Sequence, residues 1–120
     1  MAFKEILSNI VQEMKGEALG SILMDKEGIS VEKVETDGKV TDIETIAMGY
    51  SVVLKDIFKA AEMIKAGEVS EVFIKSASHS VIMRVLDENY FIALFLKPSG
   101  NMGKGRFLLR TASAEIKKEI

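Results

Sequence analysis

The residue types best suited to chemistry cluster in KPSGNMGKGR, residues 97–106. Gly100, Gly103 and Gly105 surround Lys104, between a run that reads as a strand and one that reads as a helix. Glycines let backbone fold closely round a ligand, and free N–H groups at a helix start attract anions, so the chemistry in question is a phosphate cradle. The full patterns are not met. A Walker loop, G-x-x-x-x-G-K-[ST], needs glycine where Pro98 stands and a hydroxyl where Gly105 stands, so the magnesium ligand is missing. A dinucleotide fingerprint, G-x-G-x-x-G, runs in the opposite sense and belongs to a parallel unit with a further strand. Two readings stay open: a cradle of backbone N–H groups, or a plain corner. In the corner, Pro98 ends a strand, Asn101 caps a helix and the glycines allow a sharp turn.

Elsewhere the chemistry thins out. His79, the only histidine, stands between serines with no second histidine near it, and it reads as a solvated turn residue rather than a metal ligand. Serines and aspartates exist for a triad, but no G-x-S-x-G elbow presents a nucleophile. Asp25, Glu27, Glu32, Glu35 and Asp37 cluster in sequence without the spacing of a calcium loop, and solvated positions are their default. There is no cysteine, which removes disulfides and thiolate metal sites and fits a reducing compartment. No catalytic, cofactor-binding or metal-binding set is assigned.

The elements that would position any site follow from hydrophobic periodicity. Phe3, Ile6, Leu7, Ile10, Val11 and Met14 mark an amphipathic helix that Gly16 stops. Residues 18–24 and 29–34 read as strands joined by the hairpin turn Asp25-Lys26-Glu27-Gly28. Polar residues 35–40 form a loop. Thr41-Asp42-Ile43-Glu44 then matches a capping box, with Thr41 as the cap of a long helix running to about Ala66 and stopped by Gly67. Strands follow at 71–76, 80–86 and 90–97, with short polar links that favour an antiparallel meander. A last helix covers about 102–118, its apolar face made of Leu108, Leu109, Ala112, Ile116 and Ile120. The order helix, two strands, helix, three strands, helix is α+β: a five-stranded antiparallel sheet with helices on its faces, in a single domain over residues 1–120.

The long helix carries more apolar surface than one sheet can use. Ile43, Ile46, Ala47, Tyr50, Val53, Leu54, Ile57, Ala61 and Ile64 form the stripe expected on the sheet. A second group, Met48, Val52 and Met63 with Gly49 and Ala60 nearby, lies roughly opposite. Either another helix of the same chain covers it, or a second chain does. Two copies of one helix crossing antiparallel satisfy a twofold axis, and an unpaired edge strand can extend the sheet across it.

The net charge of −2 removes the broad electrostatic argument for nucleic acid or an anionic membrane. No apolar run reaches membrane-spanning length and the amphipathic N-terminus lacks a signal-peptide core, so a cytoplasmic protein without membrane insertion is expected.

Taken together, the order, spacing and length resemble the Roadblock family, named for dynein light chains of the Roadblock type. LGSILMDKEGISV resembles its first hairpin, IETIAMGYSVVLKDIFKAAEMI its long central helix, SHSVIMRVLDENYFIALFL its fourth and fifth strands, and GNMGKGRFLLRTASAEI its closing corner and helix. The link EKVETDGKVTD is more charged than the family's pattern. The resemblance implies a profilin-like and longin-like fold. It further implies a homodimer, or a heterodimer with a related subunit, in which long helices and third strands meet their counterparts. On this chain the interface would then comprise Met48, Gly49, Val52, Ala60, Met63, Val72 and Ile74. It also implies a non-catalytic regulator or scaffold for a small Ras-like GTPase, needing no cofactor of its own; Lys55, Lys59 and Glu62 are the expected contacts. Alternatives are a light-chain subunit of a larger assembly or a small-ligand sensor. Arg84 falls in a strand and Arg106 and Arg110 on the last helix, so none is suited to insertion as an arginine finger. Any stimulation of GTP hydrolysis would work by positioning the GTPase's own residues.

Overall fold

A computed structural model describes residues 3–36 and 42–120. The elements are α1 (Phe3–Glu13), β1 (Ala18–Asp25), β2 (Ser30–Glu35), α2 (Ile43–Met63), β3 (Glu71–Lys75), β4 (Ser80–Val85), β5 (Tyr90–Leu96) and α3 (Met102–Lys117). They form one five-stranded antiparallel sheet in the order β2-β1-β5-β4-β3. The hairpin β1–β2 and the meander β3–β4–β5 are thus sewn together by β1 pairing β5 along its length, Ala18 opposite Leu96 and Asp25 opposite Tyr90.

The central strands are apolar on both sides, as they must be where helices cover both faces. Alternate residues serve alternate cores. Leu23, Ile82, Ile92, Leu94 and Leu96 pack with Ile6, Leu7 and Ile10 of α1 and Leu109, Ala112 and Ile116 of α3. Ile22, Met24, Val81, Met83, Phe91, Ala93 and Phe95 pack with Ile43, Ala47 and Leu54 of α2. So α1 and α3 share one face and α2 has the other to itself. Buried Ser21 donates its hydroxyl to the Leu7 carbonyl at 3.1 Å, pinning α1 to β1.

Turn chemistry is largely as the sequence implies. The Asp25 carboxylate accepts from the backbone N–H of Glu27 and of Ile29, and Gly28 takes φ +84°, a conformation that glycine adopts without strain. After α1 ends at Glu13, Lys15 (φ 52°) and Gly16 (φ +88°) turn left-handed in succession, so the turn begins one residue before the expected Gly16. Helix α2 stops earlier than expected, at Met63, because Lys65 itself turns left-handed (φ 56°) two residues before Gly67. Thr41 and Asp37 lie outside the described residues, as does most of the polar link. Asp42 is the observed cap of α2: its carboxylate accepts from the Thr45 N–H at 3.2 Å and from the Thr45 hydroxyl at 2.7 Å. The expected capping box is therefore replaced by a cap one residue later. On α3, Ile120 is exposed rather than part of the apolar face, since the helix ends at Lys117.

Candidate functional site

The loop that opened the question is a corner. Strand β5 ends at Leu96 and Pro98 follows. The Asn101 side chain accepts from the Lys104 N–H at 3.0 Å and caps α3. The Glu17 carboxylate accepts from the Asn101 N–H at 2.9 Å, so an internal anion already sits on an amide that a phosphate cradle would use. The loop glycines are not needed for left-handed backbone, since none of the three has positive φ. Gly105 instead permits close approach. A Cβ there would stand 2.8 Å from Ile82 Cδ1 and 3.1 Å from Leu94 Cδ2, so glycine lets the first turn of α3 lie directly on β4 and β5.

His79 is also placed differently from expectation. It is half-buried rather than solvated, with Nε2 3.2 Å from the Tyr50 hydroxyl and its ring 5.8 Å from that of Phe95. Tyr50 stacks on Phe95 in turn. The trio ties the β3–β4 turn to α2. Among the described residues, no group of three His, Asp or Glu side chains is placed to hold a metal, and no helix is long and apolar enough to cross a membrane.

These contacts fix how α2 is rotated. Tyr50 points toward the β3 side of the sheet, at His79. Met48 points the other way, into the β1–β2 turn, where a Cβ on Gly28 would lie 3.3 Å from its Cγ. With 3.6 residues per turn, the residues on Tyr50's side of the helix are Ile46, Gly49, Val53, Ile57, Ala60 and Ile64. Val53 is 43% and Ile64 75% exposed, although both were expected against the sheet. The outermost line holds Val52, 61% exposed, and Met63, 82% exposed. Neither α1 nor α3 covers this surface, because both lie on the opposite face of the sheet. Lys55, Lys59 and Glu62 are exposed and lie on Met48's side, away from β3; Glu62 rims an open cleft of about 820 Å³ near the β4–β5 turn.

Strand β3, on the side that this flank overlooks, ends the sheet. Val85 N–H donates to the Ser70 carbonyl and Ser76 N–H to the His79 carbonyl. Bonded and non-bonded pairs alternate along an antiparallel ladder, so Val72 and Ile74 also direct their backbone groups to β4. Glu71, Phe73 and Lys75 turn theirs outward, to an edge without a neighbouring strand. Half-buried Val72 and Ile74 face α2, while Phe73 is exposed on the α3 side with the Arg106 guanidinium 5.1 Å from its ring. An apolar helix flank thus overlooks the side of the sheet that ends in this open strand edge.

Solved structures share this architecture. MglC from Myxococcus xanthus is 34% identical over 100% of both chains, with a TM-score of 0.71. MglB from Myxococcus xanthus aligns over 98% of this chain and 93% of its own at a TM-score of 0.85 and 17% identity. A Roadblock/LC7 domain from Streptomyces avermitilis aligns over 97% and 95% at a TM-score of 0.84 and 12% identity. The chain belongs to the Roadblock/LC7 family. No family model matches the sequence, and no curated protein matches it.

Within this Roadblock domain the arginines are occupied. Glu71 binds Arg106 Nε at 2.8 Å and Arg84 Nη1 at 3.3 Å, tying the edge strand to α3 and to β4. Arg110 lies over the Phe107 ring at 5.8 Å. Sequence reasoning missed Val53 and Ile64 as surface residues, and missed Phe73. Apolar residues ring more than half of α2, so a helical wheel alone does not say which part of the ring meets the sheet. The signal that decides it is tertiary, the contact between Tyr50 and His79.

Proposed function

We propose that this Roadblock domain is a non-catalytic, dimeric regulator or scaffold that binds a small Ras-like GTPase in the cytoplasm. The observation that carries the reading is the apolar flank of α2 overlooking the side of the sheet that ends in the open edge of β3. Uncovered apolar surface next to unpaired strand backbone favours association, and a twofold axis lets one patch serve both copies. The dimer contact comprises Val72 and Ile74 with Gly49, Val53, Ala60 and Ile64, and takes in Val52 and Met63 above them. Met48 borders it from the far flank.

The outward residues also suggest a register. If β3 meets its own copy antiparallel with Phe73 opposite Phe73, Glu71 of one chain falls opposite Lys75 of the other at both ends. Opposite charges facing each other across such a pair are favourable. The dimer then presents Lys55, Lys59 and Glu62 from each α2 on its outer side as the contacts offered to the GTPase. The engagement of Arg84 and Arg106 by Glu71 supports stimulation, where it occurs, through positioning of the GTPase's own residues.

A cysteine scan tests the dimer directly, since the chain has no native cysteine. Residues opposite each other in a hydrogen-bonded antiparallel pair stand about 5.5 Å apart, within disulfide reach. Phe73→Cys should form a covalent dimer under mild oxidation, while Val31→Cys on the opposite edge strand should not. A monomeric Phe73→Cys protein would remove the proposed interface. For the second half, a Ras-like GTPase captured from native cytoplasm is timed for GTP turnover with and without the domain. Unchanged turnover despite capture selects the scaffold over the activator.

A further inference from the structure

The face opposite α2 carries a second recognition feature. Helices α1 and α3 lie side by side, and between them runs an open groove of about 320 Å³. Its floor is apolar: Ile6 and Ile10 from α1, Leu108 and Ala112 from α3. Phe107 forms part of its wall and is 56% exposed, with the Arg110 guanidinium 5.8 Å from its ring. Three carboxylates rim the groove, Glu5 and Glu13 on α1 and Glu115 on α3. All three are exposed, and among the described residues none forms a salt bridge. No lysine or arginine is among the described residues lining it.

We infer that this groove docks a basic amphipathic helix from a partner protein, independently of the α2–β3 surface. The charge decides among occupants. An acidic rim repels nucleic acid and anionic lipid headgroups, and it attracts a segment bearing lysine or arginine. The shape agrees. Glu5 and Glu13 are two turns apart on α1, a rise of about 12 Å, which is also about eight residues along an incoming helix. Ile6 and Ile10 are 4% and 3% exposed at the base of the groove, so the apolar side chains within a partner's reach are Leu108 and Phe107. A helix with a leucine stripe flanked by lysines would set its stripe on Leu108 and Phe107, with its lysines reaching Glu5, Glu13 and Glu115.

The probe is a fluorescent synthetic helical peptide with leucines at i, i+3 and i+4 spacing and flanking lysines, followed by anisotropy. A second peptide replaces every lysine by glutamate. The lysine peptide should bind and the glutamate peptide should not. Replacing Glu5, Glu13 and Glu115 together by glutamine should weaken binding about tenfold, because each exposed charge pair contributes only modestly. Phe107→Ser should weaken it separately. All four positions are exposed, so thermal melting should be unchanged and a folding defect is separable. Equal binding of both peptides, no binding of either, or binding indifferent to these substitutions would overturn the inference. So would concentration-dependent self-association lost in Phe107→Ser, which would assign the groove to a second copy.

Discussion

The two faces of the sheet are built from similar strands and covered unequally. On one, α1 backs β1 and β2 while α3 backs β4 and β5. On the other, α2 alone lies over β1 and β2, with Tyr50 and Phe58 reaching out over the remaining apolar side chains. Strand residues are comparably buried from both sides, so the sheet does not register the difference. The helices do. Helix α3 buries one stripe and is charged or polar around most of the rest, whereas α2 buries a stripe and exposes apolar residues beyond it. Covering a face with one helix instead of two leaves apolar surface on the side of the open strand edge, and that remainder is what a partner can use.

The largest test of this contrast compares two apolar truncations. Leu109 on α3 is fully buried, so Leu109→Ala should cost about 2–5 kcal/mol by lost packing and cavity formation. Val52→Ala on the outer line of α2 should change the stability of the fold by less than about 0.5 kcal/mol, as surface substitutions usually do. Its effect should instead appear in self-association. Denaturant melts with sedimentation measurements read both. A Val52→Ala cost approaching that of Leu109→Ala would mean that α2 is covered within the chain after all.

A second test asks how closely the doubly covered face is packed. Gly105→Ala would push a methyl group into Ile82 and Leu94 at distances that real Cβ contacts do not tolerate without movement. Overpacking of this kind should cost about 1–3 kcal/mol, offset in part by movement of the Ile82 and Leu94 side-chain ends and by the roughly 0.5–1 kcal/mol that alanine gains over glycine inside a helix. Gly49→Ala on α2 meets no atom within 4 Å, and replacing glycine inside a helix should stabilise the isolated fold by about 0.5–1 kcal/mol. Opposite signs for the same substitution on the two helices would sharpen the comparison. Destabilisation by both would break it.

Most of this architecture was legible in the sequence because local signals agreed with one another. Apolar runs of strand length bounded by Asp25–Gly28 and Asp87–Asn89, and a helix opened by Asn101, leave little choice of topology. What was illegible depended on contacts between elements distant in the chain. The rotation of α2 is set by Tyr50 meeting His79, and the role of Gly105 by the side chains beneath it. The Glu17 carboxylate on the Asn101 amide joins residues far apart in sequence. The candidate surface was half legible: excess apolar residues pointed to α2 and the family resemblance to β3, while Val53, Ile64 and Phe73 required the sheet to be in place.

The smallest expected effect contrasts the two helix caps. Helix α3 is capped by the neutral Asn101 side chain, so that side chain's bond to the Lys104 N–H carries no ionisable group of its own. Helix α2 begins at Asp42, and the Thr45 hydroxyl and N–H bonds hold that carboxyl below its ordinary value of 3.8. A carboxyl lowered in the folded state adds stability that is fully present above its unfolded value and is lost as pH falls through the folded one. Nearby Lys33 is held above 10.5, first by its bond to Glu44, and its contribution is lost only as pH rises past that range. Asp42→Ala should therefore destabilise the protein at neutral pH, with the difference from the native chain shrinking as acid is added below 3.8. Asn101→Ala should cost about 1 kcal/mol throughout. Thermal melts of both variants across the acid range decide the point, since a pH-independent Asp42→Ala difference would mean that the cap acts without its charge.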